Sequence, residues 1–438
     1  MNARILVFTL TALLPTLGAA ACLAGVPTLP EVLRDVAVAN PTLQAKRAMA
    51  DAASERVRPA GAWEAPMLEL GVANLPLSGR FSDDMMTMKM VGLAQRVPLS
   101  GANGLRRRAA WERSEAEWSA ADRAQLDLLG EAIEVYADVY FTAERLREVV
   151  RHRGAVDRLV DAANARYRSG SGRLDDLLRA QAERARVSGD EVTFRADLES
   201  SRAALDALRG VEPAAFVEDS NMSSPPPMPL PPDASSWIDV VRLGHPRLQE
   251  SIARERAYRL ASMAARRAAW PDLELRASYG QRGRDRFGTE QDDMVSASVG
   301  FMLPVGSGSR EGSMAAEWNA MERAAQAERR EAELELTRRV RTLHAEARAA
   351  SRMVALLADT VVATQARAVE ASWSAYAAGS TDLSRVFEAN HMLYTSDLQL
   401  LDARQRLARA QGRLVALTGR GDLAGVELPS QPVRRTTP

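Results

Sequence analysis

Along most of this chain apolar residues recur every three or four positions over very long stretches, and in four short places the interval drops to two. The long stretches run from about Leu105 to Arg166 and from about Glu311 to Ala375. Each is followed, after a Tyr-x-x-Gly turn at Tyr167 and Tyr376, by another from about Leu174 to Leu208 and from about Leu383 to Leu417. Their period predicts amphipathic helices with one apolar stripe, such as Leu126, Leu129, Ile133, Tyr136 and Tyr140. A rod of about 60 residues would be about 90 Å long, far beyond the globular average, so these helices must pack side by side as coiled coils. The two-residue alternation predicts strands at about Met67 to Asn74, Met85 to Gln95, Asp272 to Gln281 and Met294 to Leu303, with Leu68, Leu70 and Val72 facing opposite to Glu69, Gly71 and Ala73. Polar loops at 75–84 and 282–293 join them as hairpin ends.

This order of elements occurs twice. Asn40-Pro41-Thr42-Leu43-Gln44 is answered by His245-Pro246-Arg247-Leu248-Gln249, and Pro66 by Pro271, both at a separation of 205 residues. The separation drifts to 206 at Pro98 and Pro304 and to 209 at Gly170 and Gly379. Each copy reads as a helix of about 25 residues, a proline, two strands, a second proline with glycines, and a long helix broken by its turn. The expected division is a leader at 1–24, a first repeat at 25–212, a proline-rich linker at 213–233, a second repeat at 234–421 and a tail at 422–438.

Composition narrows the class. Lys plus Arg and Asp plus Glu both number 57, so zero net charge gives no electrostatic case for nucleic acid. The first segment has Arg4, an apolar run from Ile5 to Leu17, and the small residues Gly18 to Ala21 before Cys22, which predicts an export signal. Cys22, the one cysteine, either becomes a lipid-bearing N-terminus or leaves with the signal. No other stretch has the length and apolarity of a membrane helix. His152, His245, His344 and His391 lie far apart in sequence, and no nucleophile elbow, phosphate loop or zinc spacing occurs, so neither an enzyme nor a cofactor is expected. Met86, Met88 and Met90 alternate with Thr87 and Lys89, placing three thioethers on one face of a strand. They suit Cu(I) or Ag(I), or serve as an apolar row toward lipid with Lys89 turned to water.

An exported chain with four strands and no membrane helix meets a closure problem, because a sheet in lipid must close and the smallest barrels need about eight strands. If the strands are membranous, three chains would supply twelve; otherwise they form a small soluble sheet capping a coiled coil. The opening Thr28-Leu29-Pro30-Glu31-Val32-Leu33 with Ala39-Asn40-Pro41-Thr42-Leu43, and the duplicated order over nearly all of the exported part, resemble the TolC-type outer-membrane efflux channels. The run Asn74-Leu75-Pro76 with Met85 to Gln95 is similar to the heavy-metal branch of CusC and CzcC type.

The resemblance implies a mainly α fold with a small β part, in which a homotrimer forms a 12-stranded barrel in outer-membrane lipid continued by a long periplasmic helical barrel. It implies a passive duct meeting a periplasmic adaptor and an inner-membrane RND pump. Heavy-metal cations are the expected cargo, with a multidrug or type I secretion channel as the alternative and a periplasmic adaptor as a more distant one. It also implies a periplasmic gate just after the second turn, at Asp382, Arg385 and Glu388, with Asp175 and Asp176 in the first copy. Arg385 stands where related channels carry an acid: either the nearby Asp382 partly replaces that acid, or Arg385 pairs with Asp382 or Glu388 to lock the closed tips, or all three are ordinary surface charges of a coiled coil.

Overall fold

The computed structural model describes residues 27–81, 83–212, 222–225, 230–284, 287–302 and 307–419. The leader with Cys22, the tail at 422–438 and most of the linker lie outside the described residues. The fold is mainly helical with one small antiparallel sheet, as expected from the periodicities.

Each copy begins with a pair of helices rather than the one helix expected. They are α1 (Leu29–Ala39) and α2 (Pro41–Glu55) in the first copy, and α6 (Ser235–Gly244) and α7 (Pro246–Arg267) in the second. Proline has no N–H and forces the residue before it out of the helical region. Asn40 and His245 are accordingly extended, with ψ of 122° and 131°, and each caps the helix it precedes. Asn40 accepts from the Leu43 N–H at 3.1 Å, and His245 Nδ1 accepts from the Arg247 N–H at 3.1 Å.

A short helix α3 (Val57–Ala60) leads to β1 (Met67–Ala73) and β2 (Met88–Val97), and α7 leads to β3 (Asp272–Arg282) and β4 (Met294–Met302). The four strands form one antiparallel sheet in chain order, with β1 and β4 at its edges. The rods follow: α4 (Ala102–Arg168) and α5 (Leu174–Arg209), then α8 (Ser307–Leu356), a π-helix (Leu357–Val362), α9 (Ala363–Ala377) and α10 (Leu383–Thr418).

The rods stand side by side. Near the sheet the order is α2, α4, α7, α8; toward the far end it is α5, α4, α10 and then the π-helix with α9. Their main core joins Val32, Val36, Leu129, Tyr136, Leu336 and Leu414 from both copies. Glycines allow the closest approach. A Cβ on Gly130 would lie 2.7 Å from the Ala416 Cβ, and one on Gly412 would overlap Ile133 Cγ2, so α4 and α10 touch almost backbone to backbone. The accessible surface is 27,143 Å². A compact monomer of 47.7 kDa would expose about 16,000 Å². A single layer of rods leaves much of its surface open.

Candidate functional site

The sheet has two unlike faces. Leu68, Leu70 and Val72 on β1 stand opposite Leu93, Val91 and Lys89 on β2. The same face continues through Leu273, Leu275, Ala277 and Tyr279 on β3 to Phe301, Val299, Ala297 and Val295 on β4. Apart from Lys89 and a few positions at the strand ends it is apolar, yet it is open: Leu70 is 72% exposed and Val295 80%. The opposite face carries ion pairs. Arg276 lies 3.3 Å from Glu69 and 2.9 Å from Glu274, and Arg96 lies 3.3 Å from Glu64 and 3.4 Å from Asp272. An exposed apolar face backed by a paired polar one is the pattern of a barrel wall between lipid and water.

The methionine series does not lie as expected. β2 starts at Met88, so Met86 precedes the strand; its sulfur accepts from Arg282 at 3.3 Å. Met88 and Met90 share the charged face with Arg96, and Lys89 is on the apolar face, beside Val72 and Gln281. This reverses the reading of methionine toward lipid and lysine toward water. The register decides it: Leu68, Leu70 and Val72 fix which face is apolar, and pairing carries Lys89 onto it at the end of the strand, where a long side chain can reach past an apolar band. Gly280 makes room for Met88, whose sulfur fills the space a Cβ would take. Met67, Met294 and Met302 fall on the same charged face.

At the far end each rod turns through the same motif. Gly170 and Gly379 have φ of 75° and 72°. The next residue's N–H returns to a carbonyl five residues back, Ser171 to Arg166 at 3.0 Å and Ser380 to Ala375 at 2.9 Å. Asp382 is the N-cap of α10, and Asp382, Arg385 and Glu388 are all exposed at three-residue spacing, away from the buried Leu383, Val386 and Asn390. The expected pairing of Arg385 is absent: among the described residues no ion pair joins it to Asp382 or Glu388. Asp175 pairs with Arg179 at 3.1 Å. Asp176 accepts from the Ser384 hydroxyl at 3.2 Å, so this acid links the two tips.

One further polar cluster has no local signature in the sequence. His152 on α4 and His391 on α10 converge on Glu183 of α5, at 3.6 and 3.3 Å. Their sequence separation hides this, and under the repeat offset of 209 they do not correspond to each other. Arg186 lies 2.7 Å from Glu183, and Tyr394 donates its hydroxyl to Asp190 at 3.0 Å. The His152 imidazole, together with Arg186, holds the Glu183 carboxyl far below the usual carboxylate range. No group of three or more His, Cys, Asp or Glu among the described residues is arranged to hold a metal ion.

Comparison with known proteins agrees with this architecture. The family model described as outer membrane efflux protein matches residues 32–211 and 237–420. A membrane protein from Pseudomonas aeruginosa superposes with a TM-score of 0.76 at 19% identity, covering 89% of this chain and 93% of that one. The outer membrane protein VceC from Vibrio cholerae gives 0.74 at 17%, covering 89% and 96%. CusC, whose solved structures concern folding and transmembrane channel formation, gives 0.74 at 14%, covering 89% and 92%. Among curated protein sequences none matches significantly.

Proposed function

The chain belongs to the outer membrane efflux protein family, and from that premise we propose that it is one of three identical subunits of an export duct in a tripartite efflux system. The carrying observation is the sheet: four strands, two unpaired edges and an exposed apolar face. Three such sheets joined edge to edge give twelve strands with no open edge, the apolar face toward outer-membrane lipid and the ion-paired face toward a water-filled lumen. The rods supply matching edges below. Met321, Leu334, Met353 and Leu356 on α8 and Leu178 and Val192 on α5 are exposed apolar residues that a neighbouring copy would cover.

In this reading the helical barrel stands in the periplasm, and its tips meet a periplasmic adaptor and an inner-membrane RND pump. The exposed stripe of Asp382, Arg385 and Glu388, with Asp175 and Asp176 beside it, lines the closing end. Three copies of each acid around an axis repel one another and favour passing cations. Heavy-metal cations are the proposed cargo. The run from Met85 to Gln95 supports this, as do the thioethers of Met88 and Met90 on the face turned to the lumen. Lipidation of Cys22 would add an anchor beside the barrel.

Crosslinking of the detergent-extracted protein tests the assembly: a trimer from the outer membrane supports it, and a soluble monomer overturns it. Tolerance to copper, silver, cobalt, zinc and cadmium in a strain lacking its own channels tests the cargo, and rescue of drug tolerance alone would assign it to drugs instead. Bilayer conductance of Glu388→Ala and Arg385→Asp tests the gate; unchanged conductance and ion selectivity in both would remove these residues from it.

A further inference from the structure

We infer that His152, Glu183 and His391 form a proton-binding site that clamps α10 to the hairpin of α4 and α5, so that the tips are harder to part in acid than at neutral pH. The consequence for export rests on the channel reading above; the clamp itself does not.

The site lies about 14 Å along α5 from its first residue, between the tips and the mid-rod core. His391 Nδ1 stands 2.9 Å from Arg186 Nη2 and 3.3 Å from Glu183 Oε1. A guanidinium only donates and a carboxylate only accepts, so one nitrogen cannot satisfy both. Unprotonated, Nδ1 accepts from Arg186. Protonated, it donates to Glu183 and repels Arg186, whose Nη1 already lies 3.6 Å from Asp190. Asp190 in turn holds the Tyr394 hydroxyl of α10. Moving one proton therefore replaces a hydrogen bond from the Arg186 guanidinium to a neutral ring by an ion pair between His391 of α10 and Glu183 of α5, and sends Arg186 toward Asp190, which holds Tyr394 of α10.

His152 acts in the same direction from α4. Its ring is stacked flat on Tyr394, with centroids 4.1 Å apart and 3° between planes. Its side chain is 5% exposed, and Nε2 has no hydrogen-bond partner at its 3.6 Å distance from Glu183. An imidazolium there would turn the 3.6 Å approach to Glu183 into an ion pair and would place a cation on the Tyr394 ring of α10. The surroundings can receive the charge. From α4 come Glu148 and Arg151, paired at 2.6 Å; from α5, Glu183, Arg186 and Asp190; from α10, Asp397 and, one turn before His391, Glu388. On the other side of α10, α9 carries Arg367 and Glu370, and no ion pair among the described residues joins either to the site. Burial raises the Glu148 and Asp397 carboxyls, and both are drawn back by His152. The His391 side chain is 44% exposed, which gives the proton a route in.

Amide hydrogen exchange of the detergent-solubilised full-length protein tests the clamp, after correction for the intrinsic pH dependence of exchange. Segments 166–183 and 376–392 should exchange about tenfold more slowly at about pH 5.5 than at about pH 8, the order expected when one contact between helices becomes an ion pair. In the double variant His152→Gln with His391→Gln the two rates should coincide. Should burial make the double variant fold poorly, His391→Gln alone, at the more exposed position, should still reduce the ratio. Glu183→Gln should exchange as fast in acid as the wild type does near pH 8. Equal protection of the wild type at both pH values, or a pH effect that survives in the histidine variants, would overturn the proposal. Failure here with a trimer intact would leave the channel reading standing.

Discussion

The two long rods come from the same repeated pattern and end in unlike surroundings. α4 is one uninterrupted α-helix of 67 residues with neighbours on both sides, α2, α5, α7 and α10, and it buries Leu129, Tyr136, Val149 and Leu159. Its counterpart packs on α7, α10 and α6 along one side, is interrupted by the π-helix, and leaves α9 without a buried residue. The interruption has a sequence origin. Pro98 and Tyr167 are 69 residues apart, whereas Pro304 and Tyr376 are 72 apart, so the second rod must absorb three more residues between equivalent ends. A wider π turn takes up part of such an excess without breaking the rod. Taking 209 off Leu357–Val362 gives 148–153, the part of α4 that holds Glu148 and His152. A duplicated sequence thus built a central rod with a polar site and an edge rod with a looser turn at one height.

This contrast can be broken most forcefully where α4 and α10 touch. Gly412→Val should cost at least about 3 kcal/mol, because its side chain collides with Ile133 across an interface with no room. Thermal unfolding followed by circular dichroism reads the loss, and adding Ile133→Ala should recover part of it.

Next comes a pair on the edge rod. Leu336, 2% exposed, belongs to the shared core, and Leu336→Ala should destabilise by about 2–5 kcal/mol. Leu334 is 68% exposed, and Leu334→Glu should leave monomer stability within about 0.5 kcal/mol while reducing crosslinked trimer. If the trimer yield of Leu334→Glu stays at the wild-type level, the edge rod is not the assembly surface.

The helix caps give a comparison that pH can read. The first copy uses Asn40 and the second His245, which burial and then Arg247 depress to about 4. A depressed histidine favours the folded state above its unfolded value of about 6.5, and that contribution is lost as pH falls toward 4 because the unfolded chain takes the proton first. About 3 kcal/mol should disappear across this window in urea titrations. His245→Asn, which copies the first repeat, should flatten that part of the profile. The smallest effect is expected at Gly189, within α5 and with nothing near its absent Cβ, where Gly189→Ala should raise stability by about 0.5–1 kcal/mol.

Most of the architecture was legible because it rests on local rules. The Tyr-x-x-Gly turns were visible since a left-handed residue after a long helix calls for glycine, and both glycines take that role. The split at Asn40 and His245 is written in the prolines that follow them, because proline forces the preceding residue out of the helical region. The face of the methionines was not legible, because alternation says which residues share a side, while only pairing with β1 and β3 says what that side meets. Asp382, Arg385 and Glu388 were implied by the family resemblance, and the structure finds them exposed on one stripe, but the ion pair depended on side-chain placement that position alone does not fix.

By itself the sequence determined the duplicated elements, the rod lengths, the turn positions and the alternating faces, because these follow from backbone geometry and hydrophobic period within short windows. Only the tertiary structure decided which rod is central and which is the edge, which sheet face carries the ion pairs, and that His152 and His391 meet at Glu183. Those outcomes depend on contacts between segments tens to hundreds of residues apart, where periodicity fixes a residue's face but not the neighbour it will meet.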